Sequence, residues 1–213
     1  MPDTPGWPAR LGPVPSAAGP VELRPLRAAD GADWRRLRIA DEALIRPWDP
    51  SSPLDWTARH SRSAWLDHRG MLRQAARLGT ALPFAVTVDG QFAGQVTVGG
   101  IQRFPLHSGW IGYWVGSRYA GRGVATVAVA QVVGHALAAG RLHRIEATVS
   151  PANLPSQRVL AHLAFRQEGL LQRYLDIDGG WRDHQLWAIT AEEVTGGAAG
   201  LLRAWSARGA APA

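Results

Sequence analysis

The chain has 213 residues, 46% of them hydrophobic, and a formal net charge of +6; that bounds it to one domain with a real core and suits an anionic partner such as a nucleotide cofactor or RNA. It contains no cysteine, which excludes disulfides, thiolate catalysis and cysteine-based metal sites. All 23 residues of the Lys+Arg count are arginine, which excludes a P-loop lysine, a Schiff-base lysine and a lysine general base.

Residues 1–20 are rich in Pro, Gly and Ala. They do not read as a secretory signal and are expected to form a disordered arm. Residues 21–26 alternate apolar and polar side chains, as a half-buried strand does. Residues 30–44 carry Trp34, Leu37, Ile39, Ala40 and Leu44 near helical spacing, and Arg46-Pro47-Trp48-Asp49-Pro50 breaks that helix. Ser51-Ser52-Pro53 opens a second helix, expected over residues 54–78 and ended by Gly79. Residues 84–88 and 91–98 flank Asp89-Gly90, a hairpin signature. A strand over 110–115, a helix over 124–137, a strand over 144–149 and a helix over 154–163 follow, the last with Asn153 as its N-cap. Two strands, 172–177 and 181–189, surround Asp178-Gly179-Gly180, and a final helix over 192–206 precedes a flexible tail, residues 207–213. The expected domain is 21–206. No apolar run reaches the roughly 18 residues of a membrane span. The order of elements is that of an α/β layered fold with a mixed sheet.

The densest information lies in residues 110–125, where a β-branched and aromatic run stops at Gly121-Arg122-Gly123 and a helical pattern begins at once. A helix N-terminus offers unpaired N–H groups and a partial positive charge, which favour a phosphate. Without a Cβ, Gly121 and Gly123 let an anion approach the main chain. A P-loop is excluded by the missing lysine. A dinucleotide fold requires a third glycine near the first strand, whereas Val124, Ala125 and Thr126 follow here and four predicted strands come earlier.

Gly112-Tyr113-Trp114-Val115 followed by Gly121-Arg122-Gly123-Val124-Ala125 resembles the acyl-CoA loop of the GNAT N-acetyltransferase superfamily. Downstream, His143-Arg144-Ile145-Glu146-Ala147-Thr148-Val149, Asn153, Ser156, Leu163, Phe165 and Glu168-Gly169 resemble the superfamily's next strand, helix and strand. Arg46-Pro47-Trp48-Asp49-Pro50 and the run from Tyr174 to His184 are similar to the RimJ/RimL branch, the ribosomal-protein-alanine N-acetyltransferases. The resemblance covers about residues 21–190. It implies a GNAT-type mixed, largely antiparallel central sheet flanked by helices, acetyl-CoA as cofactor, and acetyl transfer to the α-amino group of a protein N-terminus, such as that of a ribosomal protein. It implies a cofactor site made of Val115, Arg118, Gly121, Arg122, Gly123, Val124, Ala125, Asn153 and Ser156. In two places the chain departs from the superfamily: Ala120 stands where Gln or Arg is usual, and Ala164 where Gly is usual.

Acetyl transfer needs a neutral amine, a polarised carbonyl and a proton for the departing thiolate. Glu146 is the first candidate base; Asp183, His184 and His107 are the others. Ser156 is the candidate to protonate or orient the thiolate, and a backbone N–H near Val115 or Gly116 the candidate to polarise the carbonyl. Trp48, Tyr113, Trp114, Tyr174 and Trp181 are the candidate walls of an acceptor groove, although most of the tryptophans are expected in packing. No cluster has metal-ligand spacing. The expected enzyme is cytoplasmic, a monomer or homodimer, with no membrane partner and no direct nucleic-acid readout. Two other readings stay open: an acetyltransferase acting on a small amine, amino acid or antibiotic, and a non-catalytic acyl-CoA-binding or RNA-associated module.

Overall fold

The computed structural model describes residues 4–209. Eight strands form one sheet: β1 (Leu11–Val14), β2 (Val21–Pro25), β3 (Leu82–Val88), β4 (Gln91–Gln102), β5 (Ser108–Val115), β6 (Arg144–Val149), β7 (Arg166–Ile177) and β8 (Gly180–Thr190). Their order is β1-β2-β3-β4-β5-β6-β8-β7, and each neighbouring pair is antiparallel except β5 with β6. The helices are α1 (Gly31–Ala40), α2 (Glu42–Ile45), α3 (Trp56–Arg59), α4 (Arg62–Arg77), α5 (Val124–Ala138), α6 (Leu154–His162) and α7 (Gly197–Gly209). This is the mixed, largely antiparallel α/β sheet flanked by helices that the motifs imply.

Each sheet face has its own core. Val21, Leu23, Phe84, Val86, Val96, Ile111 and Ile145 pack with Val127, Val129 and Val132 of α5 and with Leu160 of α6. On the opposite face Ala85 and Phe92 pack with Trp34 and Leu37 of α1, Trp65 of α4, and the edge of Trp114. Both hairpin turns take the left-handed conformation that Asp-Gly allows: φ is +49° and +74° at Asp89 and Gly90, and +45° and +79° at Asp178 and Gly179.

Several boundaries differ from expectation. Part of the expected disordered arm is the strand β1, paired with β2 at Leu11↔Leu23 and Val14↔Val21. Trp7 packs edge-on against Phe84 at 5.5 Å, and His135 Nε2 lies 2.7 Å from the Gly6 carbonyl. Composition hid this, because three well-spaced apolar side chains suffice to anchor a Pro/Gly-rich segment. Residues 1–3, and residues 210–213 of the expected tail, lie outside the described residues; α7 itself runs on to Gly209. The helix expected over 54–78 is two helices, because Asp55 caps α3 through Ala58 N–H at 2.9 Å and Ser61 caps α4 through Ala64 N–H at 3.2 Å. The first helix likewise breaks at Asp41, between α1 and α2.

The second core contains a buried cation. The Arg38 guanidinium lies between the rings of Trp56 and Trp114, 5.3 and 5.2 Å from their centroids, and pairs with Asp49 at 2.7 Å. Its Nε donates to His60 Nε2 at 2.9 Å, while His60 Nδ1 donates to the Trp56 carbonyl at 2.7 Å. Both imidazole nitrogens are thereby committed to the neutral ring. Burial, with the Arg38 charge adding to it, pushes His60 down to about 4.

Two outcomes follow from this architecture. The unfolded chain protonates His60 near its ordinary value of about 6.5, so the folded state binds fewer protons between there and about pH 4. The His60 contribution to stability is therefore complete above pH ~6.5 and lost as pH falls toward 4; melting curves from pH 8 to 5 should show this slope, and it should shrink in His60→Asn. Ala164 sits at φ +61° after α6, where a Cβ is strained. Ala164→Gly should stabilise the fold by about 0.5–1 kcal/mol, the left-handed strain less the added chain entropy, and raise Tm by roughly 1–4 °C.

Candidate functional site

The site originates in a strand pairing that stops early. β5 and β6 pair in parallel only at Ser108↔Arg144, Gly109↔Ile145 and Trp110↔Glu146. On their outer sides both strands stay paired to their ends, β5 with β4 as far as Gly94↔Val115 and β6 with β8 as far as Val149↔Gln185. Beyond Trp110 and Glu146 the two inner edges separate into a slot. Residues 111–115 of β5 and 147–149 of β6 have no strand opposite them there, so main-chain N–H and C=O groups face the slot and call for a ligand with amide groups of its own.

At the top of the slot stands the glycine loop. Gly116 N–H donates to the Ala93 carbonyl at 2.8 Å, Ser117–Tyr119 form one 3-10 turn, and α5 starts at Val124. The first intrahelical bond in α5 runs from Val127 N–H to the Gly123 carbonyl at 2.9 Å, and no side chain caps the preceding N–H groups. Gly121 and Gly123 have φ of +68° and +78°. A Cβ on Gly121 would meet nothing within 4 Å, so its outer side is open, whereas one on Gly123 would come within 3.0 Å of the Trp205 ring of α7. Arg122 is exposed beside these groups; Arg118 is folded over its neighbour, 4.5 Å from the Tyr119 ring centroid. Backbone N–H groups, a helix N-terminus and exposed arginine together suit a pyrophosphate.

Three remote segments hold this loop. Ala17 N–H, from the expected disordered arm, donates to the Arg122 carbonyl at 3.2 Å. Trp205 underlies Gly123. Asp41, buried between α1 and α2, accepts from Ser117 N–H at 2.7 Å and from Ser117 Oγ at 2.6 Å. Sequence reasoning missed Asp41; it lies 76 residues from its partner, and its one local trace is the break in the helical pattern.

Asn153 caps α6, its Oδ1 accepting Ser156 N–H at 3.1 Å, so its expected structural role is present. Ser156 Oγ meets the Tyr113 hydroxyl at 2.9 Å. Tyr113 is thus not placed as an acceptor wall: strand alternation puts Ile111, Tyr113 and Val115 on the α5/α6 face, and Trp110 and Trp114 on the other. Glu146, beside Trp110 in register, shares that other face at the floor of the slot. It accepts from Arg144 Nε at 2.7 Å. Arg144 also pairs with Glu168, and with Arg166 it holds that carboxyl down at about 2.

The alternative bases fare differently. His107 precedes β5, and its carbonyl accepts from His143 and Arg144 N–H at 2.6 and 3.2 Å. The length of β5, roughly 3.3 Å per residue, separates it from the loop. Asp183 is spent on a bulge in β7, accepting Arg173 N–H at 2.7 Å where Arg173 has φ +47°. His184 is buried, 6.2 Å from the Tyr174 ring, with Nδ1 3.1 Å from the Arg182 carbonyl. Tyr174 and Trp48 are partly exposed, and Trp181 is exposed at the hairpin tip opposite Asp176.

The two segments farthest apart among the motifs are clasped together. Pro50 bridges Ile177, Ser51 Oγ donates to Asp176 at 2.6 Å and accepts from Gly179 N–H at 2.7 Å, and Arg46 pairs with Asp178 at 2.9 Å. A cavity of about 510 Å³ lies at this clasp, lined by Arg46, Asp49, Asp55, Arg59 and Asp178 among others, with no residue of β5 or β6. It is therefore outside the slot. Among the described residues no group of three or more His, Asp or Glu side chains could hold a metal ion, and no helix is long and apolar enough to cross a membrane.

A model of the acetyltransferase (GNAT) domain matches residues 21–166. The chain belongs to the GNAT acetyltransferase family. The ribosomal protein uS5-alanine N-acetyltransferase of Escherichia coli is 30% identical over 156 residues, 72% of this chain and 79% of that protein. The structure of Mycobacterium smegmatis RimJ in complex with CoA-disulfide superposes with a TM-score of 0.93 at 50% identity, covering 96% of this chain and 98% of that one. A ribosomal-protein-S5-alanine acetyltransferase from Vibrio fischeri has a TM-score of 0.73 at 29% identity, covering 82% of this chain and 96% of that one.

The protein is an N-acetyltransferase that uses acetyl-CoA. The residues present fit that cofactor: open strand edges for the pantetheine amides, and the uncapped α5 terminus with Gly121, Arg122 and Gly123 for the pyrophosphate. When bound, acetyl-CoA supplies an acetyl thioester. Asp41→Asn should leave the fold intact, with Oδ1 on Ser117 N–H and the amide against Ser117 Oγ, which turns to accept; it removes the charge from both bonds and loosens the loop. Coenzyme A affinity measured by calorimetry should fall about tenfold, the worth of roughly one buried charged hydrogen bond; unchanged affinity would show that the loop holds its shape without the tether.

Proposed function

We propose that the enzyme acetylates the N-terminal α-amino group of a protein, with the alanine of a ribosomal S5-type protein as the acceptor. The observation that carries the reading is the slot together with the clasp. The slot makes β5 and β6 an acetyl-CoA cleft, and the clasped segments are those that resemble the RimJ/RimL branch. The names of the Escherichia coli and Vibrio fischeri relatives support that acceptor, and an acceptor of that kind supports a cytoplasmic enzyme.

The acceptor enters from the face carrying Trp110, Trp114 and Glu146. α1 and α4 cover β4 and β3 on that face, and the half-exposed Trp110 and Tyr174 lie beyond them. An α-amine has a pKa near 8, so roughly a tenth is neutral at pH 7, against about one part in a few thousand for a lysine amine. A modest base is sufficient. Glu146, at the floor of the slot, takes the proton through water while Arg144 fixes its orientation. Ser156 presents its hydroxyl at the opposite wall, and the main chain at Val115 and Gly116 polarises the acetyl carbonyl.

Thiol release from acetyl-CoA with alanine-start and serine-start peptides should show turnover, and Glu146→Gln should lower kcat/KM about 100-fold, the low end for a general base. Turnover on a small amine with none on any peptide would overturn the acceptor assignment.

A further inference from the structure

Tyr113 reaches from the α5/α6 face of β5, beside the slot, to the start of α6. Its hydroxyl lies 2.9 Å from Ser156 Oγ and donates to the Ser156 carbonyl at 3.2 Å. The main chain of Ser156 is itself fixed, its N–H donating to Asn153 Oδ1 at 3.1 Å. Burial raises the Tyr113 phenol well above its ordinary value, so it keeps its proton at neutral pH.

The pair has two protons, one on each hydroxyl, and two serine oxygens within reach of the phenol. In one arrangement the phenol donates to the Ser156 carbonyl and the serine hydroxyl donates to Tyr113 Oη. Both protons are then consumed inside the pair. In the other, the phenol donates to Ser156 Oγ, and the serine proton is free to point into the slot. The two differ by rotation about two C–O bonds. No heavy atom moves and no bond to hydrogen breaks. Ser156 is the third residue of α6, with no helical turn before it to fold back onto, and among the described residues the Tyr113 hydroxyl is the partner of its Oγ.

We infer that Tyr113 is a positioning residue for Ser156: it holds the serine side chain in the rotamer that faces the slot and, by becoming the donor to Oγ, releases the serine proton toward whatever accepts it there. The inference rests on the proposed role of Ser156 and adds the residue through which that role is controlled.

The test uses Tyr113→Phe, which keeps the packed ring, together with Ser156→Ala and the double variant, assayed with whichever amine the wild-type enzyme acetylates. Coenzyme A affinity by calorimetry and the melting temperature are measured alongside. Tyr113→Phe should lower kcat about tenfold, with KM for acetyl-CoA and coenzyme A affinity within about twofold of wild type. Ser156→Ala should lower kcat at least as much, and the double variant should be no slower than Ser156→Ala, because the second change removes nothing further. An unimpaired Tyr113→Phe beside an impaired Ser156→Ala overturns the inference alone, as do additive effects. A loss of coenzyme A affinity or of cooperative melting in Tyr113→Phe overturns it in favour of a purely structural tyrosine. A fully active Ser156→Ala overturns the role of Ser156 and the inference with it.

Discussion

Everything at this site depends on one pairing that ends after three residue pairs. Where a strand pairing ends while both strands run on, main-chain N–H and C=O groups on the two facing edges are left without each other. Here β5 and β6 each remain bound to an antiparallel neighbour, so neither can drift when they part beyond Trp110 and Glu146. The result is a rigid slot made of main chain, floored by the last register pair and roofed by the start of α5. Its unpaired amides are already aimed, and the protein need not reorganise to offer them.

Rigidity at the roof comes from elsewhere in the chain. The loop between Val115 and Val124 has few apolar side chains of its own. Its shape is imposed by Ala17 below Arg122, Trp205 below Gly123 and Asp41 at Ser117. Asp41 also ends α1, so one carboxylate links α1 and α2 to the glycine loop. Arg38 has a comparable reach within the second core, where it sandwiches between two indoles while pairing with Asp49. A planar guanidinium suits that task in a way an ammonium does not, in a chain whose basic residues are all arginine.

The legible parts were those whose signals are local. Asp89-Gly90 and Asp178-Gly179 demanded left-handed turns and have them. The Gly121-Arg122-Gly123 loop announced a helix N-terminus, and the spacing of Asn153 and Ser156 put both at the start of α6. What stayed hidden depends on distant partners. Leu11 and Val14 pair only because β2 is there to receive them. Tyr113 reads as one more groove aromatic until the register of β5 decides which face it takes. Asp183 is a candidate base in sequence, yet the bulge at Arg173 consumes it.

The carboxylates around the slot are mostly committed to arginine: Glu146 to Arg144, Glu168 to Arg144 and Arg166. Such pairing orients a carboxylate through charge-assisted hydrogen bonds. A lysine acceptor, almost wholly protonated at neutral pH, would need several kcal/mol of help in losing its proton, since each tenfold in population is about 1.4 kcal/mol. An α-amine needs about one such factor. The energetic demand therefore shifts from proton abstraction to placement, and placement is what this fold supplies: a slot with fixed walls, a loop tethered at three points, and a clasp from residues 46–51 to 176–179 that fixes the closing hairpin.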